Sequence, residues 1–304
     1  LDELFLRKGC PLHLRDVFPK VLAAGDAAGF LTEEGAALLD ESGSIKAGIP
    51  LCPPEGDAAT GMVATGAVLP RTGSVSAGTS SFALLVLERP LKNYYPEIDV
   101  VSTPAGKTVA MAHTNTCTSE IDAWVNLIAD AGRAMGWEVD MNQLYSTLFR
   151  KALEGKADCD GIMAFNYFAG EPMTGINTGR PMLVRLPDSK LTIANFMRSQ
   201  IYSIFASLAV GHRILDAEQV RIRRLTGHGG LFKTPVVGQR FLAAACNAPV
   251  TCMKTAGEGG PYGMALLAAY MGKKLPGQSL EDYLAQQVFT SAKSVTVQPD
   301  PAGV

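Results

Sequence analysis

The sequence predicts an α/β fold in which a mixed β-sheet is flanked by helices. Residues 220–271 read as strand, glycine turn and helix, twice in succession, which predicts parallel strands joined through helices. Residues 74–86 instead read as a hairpin of two β-rich arms, which predicts antiparallel pairing. Both kinds of pairing in one sheet make it a mixed sheet.

The composition is that of a globular protein with a large core. A length of 304 residues suggests about two domains, and 47% hydrophobic with 18% charged residues is ordinary for such a chain. The net charge of −2 provides no electrostatic attraction to nucleic acid or to an anionic membrane. No apolar run approaches the ~20 residues of a membrane helix, and no signal peptide is recognisable. The six scattered cysteines include no C-x-x-C pair, which disfavours disulfides or zinc and predicts reduced thiols in a cytoplasmic protein.

Elements ahead of the repeat are predicted from capping residues and apolar spacing. Thr32 is a candidate N-cap for a short helix that ends near Leu39. Ser119 and Asp122 are predicted to frame the start of an amphipathic helix that reaches Met135. The remaining candidates are a strand at 49–52, an excursion at 88–107, a strand at 109–113, helices at 141–153 and 191–215, a loop-rich segment between those two helices, and a tail without pattern after Gln287.

The repeat itself begins with a strand at 220–225 and a glycine turn at 226–230. After a helix, a strand at 249–253 and a second turn at 255–260 lead into a helix with Pro261 at its first position. Such turns direct backbone N–H groups and the positive end of a helix dipole at a ligand, which suits a phosphate. Glycine serves ordinary tight turns equally well, so two turns about thirty residues apart in the same setting are the stronger indication of a nucleotide site.

Four segments, in order along the chain, resemble the C-terminal half of the FGGY family of carbohydrate kinases. They are Gly56-Asp57 with the small-residue run 58–66, Ala77-Gly-Thr-Ser-Ser81, Leu225-Thr-Gly-His-Gly-Gly-Leu-Phe-Lys233, and residues 255–270. Within the family, the sequences of these segments most resemble those of pentulose kinases of the xylulose or ribulose type. The resemblance implies a ribonuclease-H-like, actin-type ATPase fold and ATP-dependent phosphorylation of a sugar hydroxyl, with ATP and Mg²⁺ as cofactors.

Asp57 carries the sharpest functional hypothesis. The resemblance implies that its carboxylate binds the sugar and acts as catalytic base, which requires it within ~3 Å of the reacting hydroxyl. From the residues alone, an aspartate after a Pro/Gly-rich turn is also typical of a helix cap. His113 and Asn115 are candidates for the sugar pocket, with a purely structural histidine as the alternative for His113.

The resemblance assigns the other candidates to the nucleotide. Gly78, Thr79 and Ser80 form the expected phosphate loop, with Thr79 near the terminal phosphate, and a plain hairpin turn is the alternative. Glu258 is also explained by compensation of a helix dipole, and His228 receives no acid–base role. The residues expected to flank the ribose and α-phosphate are Gly229, Gly230 and Lys233, and those expected beside the adenine are Gly257, Glu258 and Gly259.

Kinases of this family begin with a domain that carries an Asp-x-Gly-Thr phosphate loop, and nothing upstream of Asp57 matches it. We therefore expect residues 1–66 to be the trailing part of that N-terminal domain and residues 67–304 to be the C-terminal, nucleotide-binding domain. The first domain would supply one wall of the cleft and the carboxylates that steady magnesium, so the chain by itself is expected to be inactive. The sequence leaves open whether the protein forms a homodimer.

Two other classes of protein compete with a sugar kinase. A non-catalytic, actin-like nucleotide-binding module would share the glycine turns but would not need the Gly56-Asp57 pair. A dinucleotide-binding oxidoreductase is disfavoured because no G-x-G-x-x-G followed by an acidic residue occurs.

Overall fold

A seven-stranded mixed sheet forms the centre of the computed structural model, which describes residues 2–253 and 259–300. Two further sheets have two strands each. The strands are β1 Gly29–Phe30, β2 Pro50–Leu51, β3 Thr72–Ala77, β4 Ser81–Val86, β5 Asp99–Ser102, β6 Thr108–Thr114, β7 Ile162–Phe165, β8 Met182–Arg185, β9 Arg224–His228, β10 Val250–Met253 and β11 Ser294–Val297. The helices are α1 Asp2–Arg7, α2 Leu14–Val17, α3 Glu33–Leu39, α4 Asp57–Ala64, α5 Thr118–Ala134, α6 Met141–Ala152, α7 Ile193–Ala217, α8 Val237–Cys246, α9 Gly259–Lys273 and α10 Leu280–Tyr283, which continues as a π-helical turn, Leu284–Val288.

The order of strands in the large sheet is β11-β10-β9-β3-β4-β6-β5. Strands β10, β9 and β3 are parallel neighbours, whereas the other neighbours pair antiparallel. One row of paired residues crosses four strands, in the order His228, Ser76, Phe82 and His113. Strands β9, β3 and β6 run in the same direction, so their carboxyl ends share one edge of the sheet.

Helices cover both faces of the sheet, and each face has its own apolar core. Leu85 of β4 is buried in the core that includes α7 and α8, whereas its neighbour Leu84 is buried in the core that includes α4 and α9. Successive side chains of a strand point to opposite faces, which explains this division. No helix within the described ranges is long and apolar enough to cross a membrane.

The predicted fold class is confirmed, as are most of the predicted elements. The hairpin at 74–86 corresponds to β3 and β4, and the long helix is α7. Thr32 caps α3, since its hydroxyl accepts a hydrogen bond from the Gly35 N–H at 3.0 Å. Within the excursion at 88–107, β5 forms the edge of the sheet.

Two strand predictions differ from the structure. Strand β9 begins at Arg224 instead of Val220, because the Val220 N–H still donates to the carbonyl of Leu215 at 2.9 Å and closes the end of α7. The tail after Gln287 contains β11, which pairs antiparallel with β10. Its partner lies about forty residues earlier in the chain, so no local pattern marks it.

Two helix starts also differ. Helix α5 begins at Thr118, so Ser119 lies inside the first turn, and Asp122 accepts a hydrogen bond from the Tyr145 hydroxyl at 2.8 Å instead of capping the helix. The described part of helix α9 already contains Gly259 and Gly260 before Pro261, so Pro261 is not the first helical residue. Proline is compatible with that place because N–H groups of the first turn have no partner inside the helix.

Helices α4 and α9 pack through glycine. A methyl group at Gly263 would overlap the backbone carbonyl of Thr60, and one at Gly260 would lie 3.4 Å from the Thr60 hydroxyl oxygen. Main chain therefore meets main chain at Gly263, with no room for a side chain.

Gly263→Ala should lower the free energy of unfolding by about 1–3 kcal/mol, because only a shift of a helix relieves the overlap. Gly272→Ala in the same helix is the matched control, since nothing lies within 4 Å of its added methyl group. That control should be neutral or stabilising by up to about 1 kcal/mol. Chemical denaturation of both variants measures the difference, and equal stabilities would contradict the proposed packing.

Candidate active site

The carboxyl edge of β3 and β9 brings two of the predicted glycine turns together. Ser76 and His228 are partners in the parallel pair, so the loops that follow them, 78–80 and 229–230, leave the sheet side by side. Gly229 has a φ of +101°, and a methyl group there would lie 2.5 Å from the carbonyl oxygen of Ala77. Only glycine combines that backbone conformation with that approach. Ligands of α/β sheets bind beyond the carboxyl ends of strands, which is where this corner lies.

The loop at 78–80 is oriented by the start of α5. The Cys117 N–H donates to the Thr79 carbonyl at 2.8 Å, and the Thr118 N–H donates to the Gly78 carbonyl at 3.0 Å. In a trans peptide the N–H points opposite to the C=O of the same plane, so the N–H groups of Thr79 and Ser80 point away from α5. Within residues 2–253 and 259–300, nothing accepts a hydrogen bond from either group. Adjacent free N–H groups of this kind are able to bind an anion.

Helix α4 places Asp57 at the same edge. The helix runs antiparallel to β3, since the Thr65 hydroxyl near its end lies 3.3 Å from the Ser74 hydroxyl in mid-strand. A methyl group at Gly61 would lie 3.3 Å from Nε2 of His228, at the end of β9. Asp57 precedes Gly61 by one helical turn, about 6 Å at 1.5 Å per residue, and therefore lies beyond the strand ends.

The local geometry bears on the alternative that Asp57 is only a helix cap. The N-cap is Gly56, and Asp57 is the first helical residue. Its Oδ1 accepts from the Ala58 N–H at 2.7 Å and from no other described residue, and Asp57 is exposed. No lysine, arginine or histidine of the described segments forms an ion pair with it. The carboxylate therefore remains accessible to a ligand.

His228 fills the space between β9 and the two glycine-rich helices. Its side chain is buried, and Nδ1 would lie 3.6 Å from a methyl group at Gly259, the first residue of α9. Burial lowers the pKa of His228, and no described atom is hydrogen bonded to its Nε2. Burial therefore favours the neutral form of the imidazole.

A cavity of about 450 Å³ beside Gly229 and Lys233 and another of about 420 Å³ beside Gly230 and Lys233 adjoin the glycine corner. On one side Gly230 and Lys233 line a cavity of about 420 Å³ together with side chains of α5 and α6. The Tyr145 hydroxyl donates to Asp122 in its wall, and burial together with that carboxylate raises the pKa of Tyr145 to about 12. The other residues that the sequence did not single out here are Thr118, Asn142, Ser146, Phe149, Leu231 and Thr234.

The remaining predicted residues are placed as follows. His113 is an exposed residue of β6 in the row that contains His228, and Asn115 follows directly after β6. Strands lie about 4.8 Å apart, so His113, two strands from Ser76, is about 10 Å from β3 along the same edge. The predicted turn residues Gly257 and Glu258 lie outside the described residues. No group of three potential metal ligands occurs in the described ranges.

This mixed sheet, with glycine corners at one edge, defines a ribonuclease-H-like, actin-type ATPase domain. The sequence model of the C-terminal domain of the FGGY family of carbohydrate kinases matches residues 73–272. The chain therefore belongs to the FGGY family, as the resemblance implied.

Solved structures of several kinases share the fold at low sequence identity. A xylulose kinase from Rhodospirillum rubrum is 19% identical, with a TM-score of 0.73 over 94% of this chain and 54% of its own. A second, from Brucella ovis, has the same identity and TM-score over 100% of this chain and 57% of its own. Glycerol kinase from Plasmodium falciparum, solved with ADP, is 13% identical, with a TM-score of 0.70 over 94% of this chain and 53% of its own. The chain thus spans little more than half of the length of each kinase. A search of curated proteins finds no match.

Gly229→Ala should destabilise the protein by about 1–3 kcal/mol, because the added methyl group combines left-handed backbone strain with overlap of a carbonyl. Gly230→Ala is the neighbouring control, since its methyl group meets nothing within 4 Å. Denaturant midpoints of the two variants provide the comparison. If Gly229→Ala is no less stable than Gly230→Ala, that result would contradict the close approach of Gly229 to the Ala77 carbonyl.

Lowering the pH should destabilise the protein partly through His228. Because burial lowers the folded-state pKa of His228 below 6.5, the unfolded chain binds the proton more readily. Stability is then fully present above about pH 6.5 and falls below it, by at most about 1.4 kcal/mol per pH unit. His228→Gln removes this contribution, while His212, whose pKa burial also lowers, stays in both proteins. Parallel pH profiles of unfolding for wild type and variant would contradict the prediction.

Proposed function

We propose that this chain supplies the nucleotide-binding half and the catalytic base of a kinase that phosphorylates a sugar hydroxyl with ATP. One observation carries the proposal: the free N–H groups of Thr79 and Ser80 lie at the sheet edge that also holds the Gly229 corner and the Asp57 carboxylate. A phosphate seat beside an accessible carboxylate is what phosphoryl transfer to an alcohol requires.

The nucleotide would lie along the glycine corner. Its adenosine part would enter the cavity of about 420 Å³ beside Gly230 and Lys233, where Phe149 offers an apolar surface and Asp122 a polar one. The phosphates would then extend towards Thr79, where backbone N–H groups and not side chains provide the contacts. Gly257, Glu258 and Gly259 remain candidates for the opposite side of the adenine.

Magnesium would neutralise charge on the phosphates of the nucleotide. The residues that the structure describes contain no cluster of three metal-ligating side chains. The resemblance to the family supports assigning the carboxylates that steady Mg²⁺ to a preceding kinase domain, which would also close the cleft over the sugar.

Asp57 would take the proton of the acceptor. As the sugar oxygen forms its bond to the γ-phosphorus, the bond from that phosphorus to the β,γ-bridging oxygen of ATP breaks, and the hydroxyl proton passes to the Asp57 carboxylate. ADP leaves with the electron pair of the broken bond. His113 and Asn115, at the carboxyl end of β6, would contact the sugar from the same edge of the sheet.

A pentulose is the proposed acceptor, supported by the sequences of the four motifs and by the fold shared with two xylulose kinases. We assign residues 1–66 to the end of the first domain and residues 67–304 to the second, with α4 as the junction that packs on α9. The match to the C-terminal domain of the family, which begins at residue 73, supports this division. Homodimerisation and a cytoplasmic location remain predictions from the sequence.

Asp57→Asn should lower turnover by ~10² or more in the protein that joins this chain to its first kinase domain, while ATP affinity stays within about twofold. The amide keeps the size of the side chain but accepts no proton. Sugar-dependent ADP release measures turnover, and titration calorimetry measures ATP binding.

Glu33→Gln is the control, because Glu33 is likewise an exposed carboxylate in the first turn of a short helix, α3. It should leave turnover unchanged. Near-normal turnover of Asp57→Asn would remove the base from the proposal, and the same protein binding ATP without phosphorylating any pentulose, hexulose or polyol would favour a non-catalytic module.

A further inference from the structure

Asn166 is a buried amide whose hydrogen bond ends on the backbone that supports the phosphate loop. The residue directly follows β7 and is only 3% exposed. Its Nδ2 donates to the carbonyl of Cys117 at 2.9 Å, and its Oδ1 has no described hydrogen-bond partner. Nothing in the proposed function uses this side chain.

Two peptide planes connect Asn166 to the N–H of Thr79. The Cys117 carbonyl that accepts from Asn166 belongs to the same peptide as the Thr118 N–H, which donates to the Gly78 carbonyl at 3.0 Å. That carbonyl in turn belongs to the same peptide as the Thr79 N–H. Because C=O and N–H are opposed in each trans plane, rotating one plane rotates the next. Hydrogen bonds arranged in such a chain also polarise one another.

The segment that holds Asn166 is itself firmly anchored. The Ala169 N–H donates to the Thr116 hydroxyl at 3.2 Å, next to the same strand end. Methyl groups at Gly170 and Gly179 would overlap backbone atoms, so the segment is packed main chain against main chain. Glu171, with no exposed surface, accepts from the Met173 N–H at 3.2 Å within the same segment, and the buried Met173 side chain belongs to the core beneath the sheet. The amide of Asn166 is thus a fixed donor.

We propose that Asn166 is a positioning residue for ATP, which sets the direction of the Thr79 N–H through the Cys117–Thr118 and Gly78–Thr79 peptides without touching the nucleotide. The proposal rests on the proposed function, since it assumes that Thr79 faces a phosphate. A residue that merely stabilises the fold would affect the binding of MgATP and of adenosine alike. Loss of the Asn166 hydrogen bond should instead weaken the binding of the phosphates and leave that of adenosine unchanged.

The test compares Asn166→Asp with wild type by calorimetric titration with MgATP and with adenosine. The carboxylate keeps the shape of the side chain but cannot donate, and it repels the Cys117 carbonyl. Loss of one buried hydrogen bond corresponds to about a tenfold effect, so MgATP affinity should fall about tenfold while adenosine affinity stays within about twofold. Asn166→Ala, which adds no charge, is the second variant and should show the same pattern.

Asn195→Asp is the matched control. Asn195, in the first turn of α7, is also a buried asparagine. Its side-chain amide accepts from the Lys156 N–H and donates to the Lys190 carbonyl, each at 2.9 Å. Its replacement should leave the ratio of MgATP to adenosine affinity as in wild type. If a folded Asn166 variant keeps that ratio, the proposal is overturned.

A second readout separates this proposal from the proposed function. Without nucleotide, the ¹H–¹⁵N resonances of Thr118, Thr79 and Ser80 should shift in Asn166→Asp and stay in place in Asn195→Asp. Unchanged resonances overturn the relay even if ATP binds. If the protein that joins this chain to its first kinase domain binds neither MgATP nor adenosine, the proposed function fails, while shifted resonances still support the backbone coupling.

Discussion

The parallel pairing of β3 with β9 is the constraint on which the site depends. It sets Ser76 beside His228 and brings the Gly229 backbone against the Ala77 carbonyl, so two loops distant in sequence become one surface. Helix α4 then lies across this pair with glycine against His228, and its first residue projects beyond the strand ends. Small residues at these crossings let main chain approach main chain, and this fixes the positions of the functional groups.

The donors of the proposed phosphate loop are backbone N–H groups and not charged side chains. The carbonyls of Gly78 and Thr79 accept hydrogen bonds from N–H groups at the start of α5, so the N–H groups of the same two peptides, those of Thr79 and Ser80, face away from α5. Donors held in place before the ligand arrives lose little entropy when it binds, and they stabilise charge without reorganisation. Helices α5 and α6 line the cavity beside Gly230, and the start of α5 also orients the loop that would meet the phosphates.

Local patterns were sufficient for what is local. The glycine turn after β9, the Thr32 cap and the apolar face of α7 each follow from residues close in sequence. Predictions that depend on distant partners were incomplete: β11 pairs with a strand about forty residues earlier, and Asp122 binds Tyr145 of another helix. The cavity wall of α5 and α6 and the bond from Asn166 to Cys117 likewise depend on tertiary packing, which no spacing rule encodes.

The most direct test of the account is a crystal structure of the protein bound to a non-hydrolysable ATP analogue and Mg²⁺. We expect an oxygen of the terminal phosphate at hydrogen-bond distance, about 3 Å, from the backbone nitrogens of Thr79 and Ser80, with Asp57 facing the same phosphate. Phosphates bound away from that loop, or an Asp57 carboxylate directed at a different surface, would contradict it.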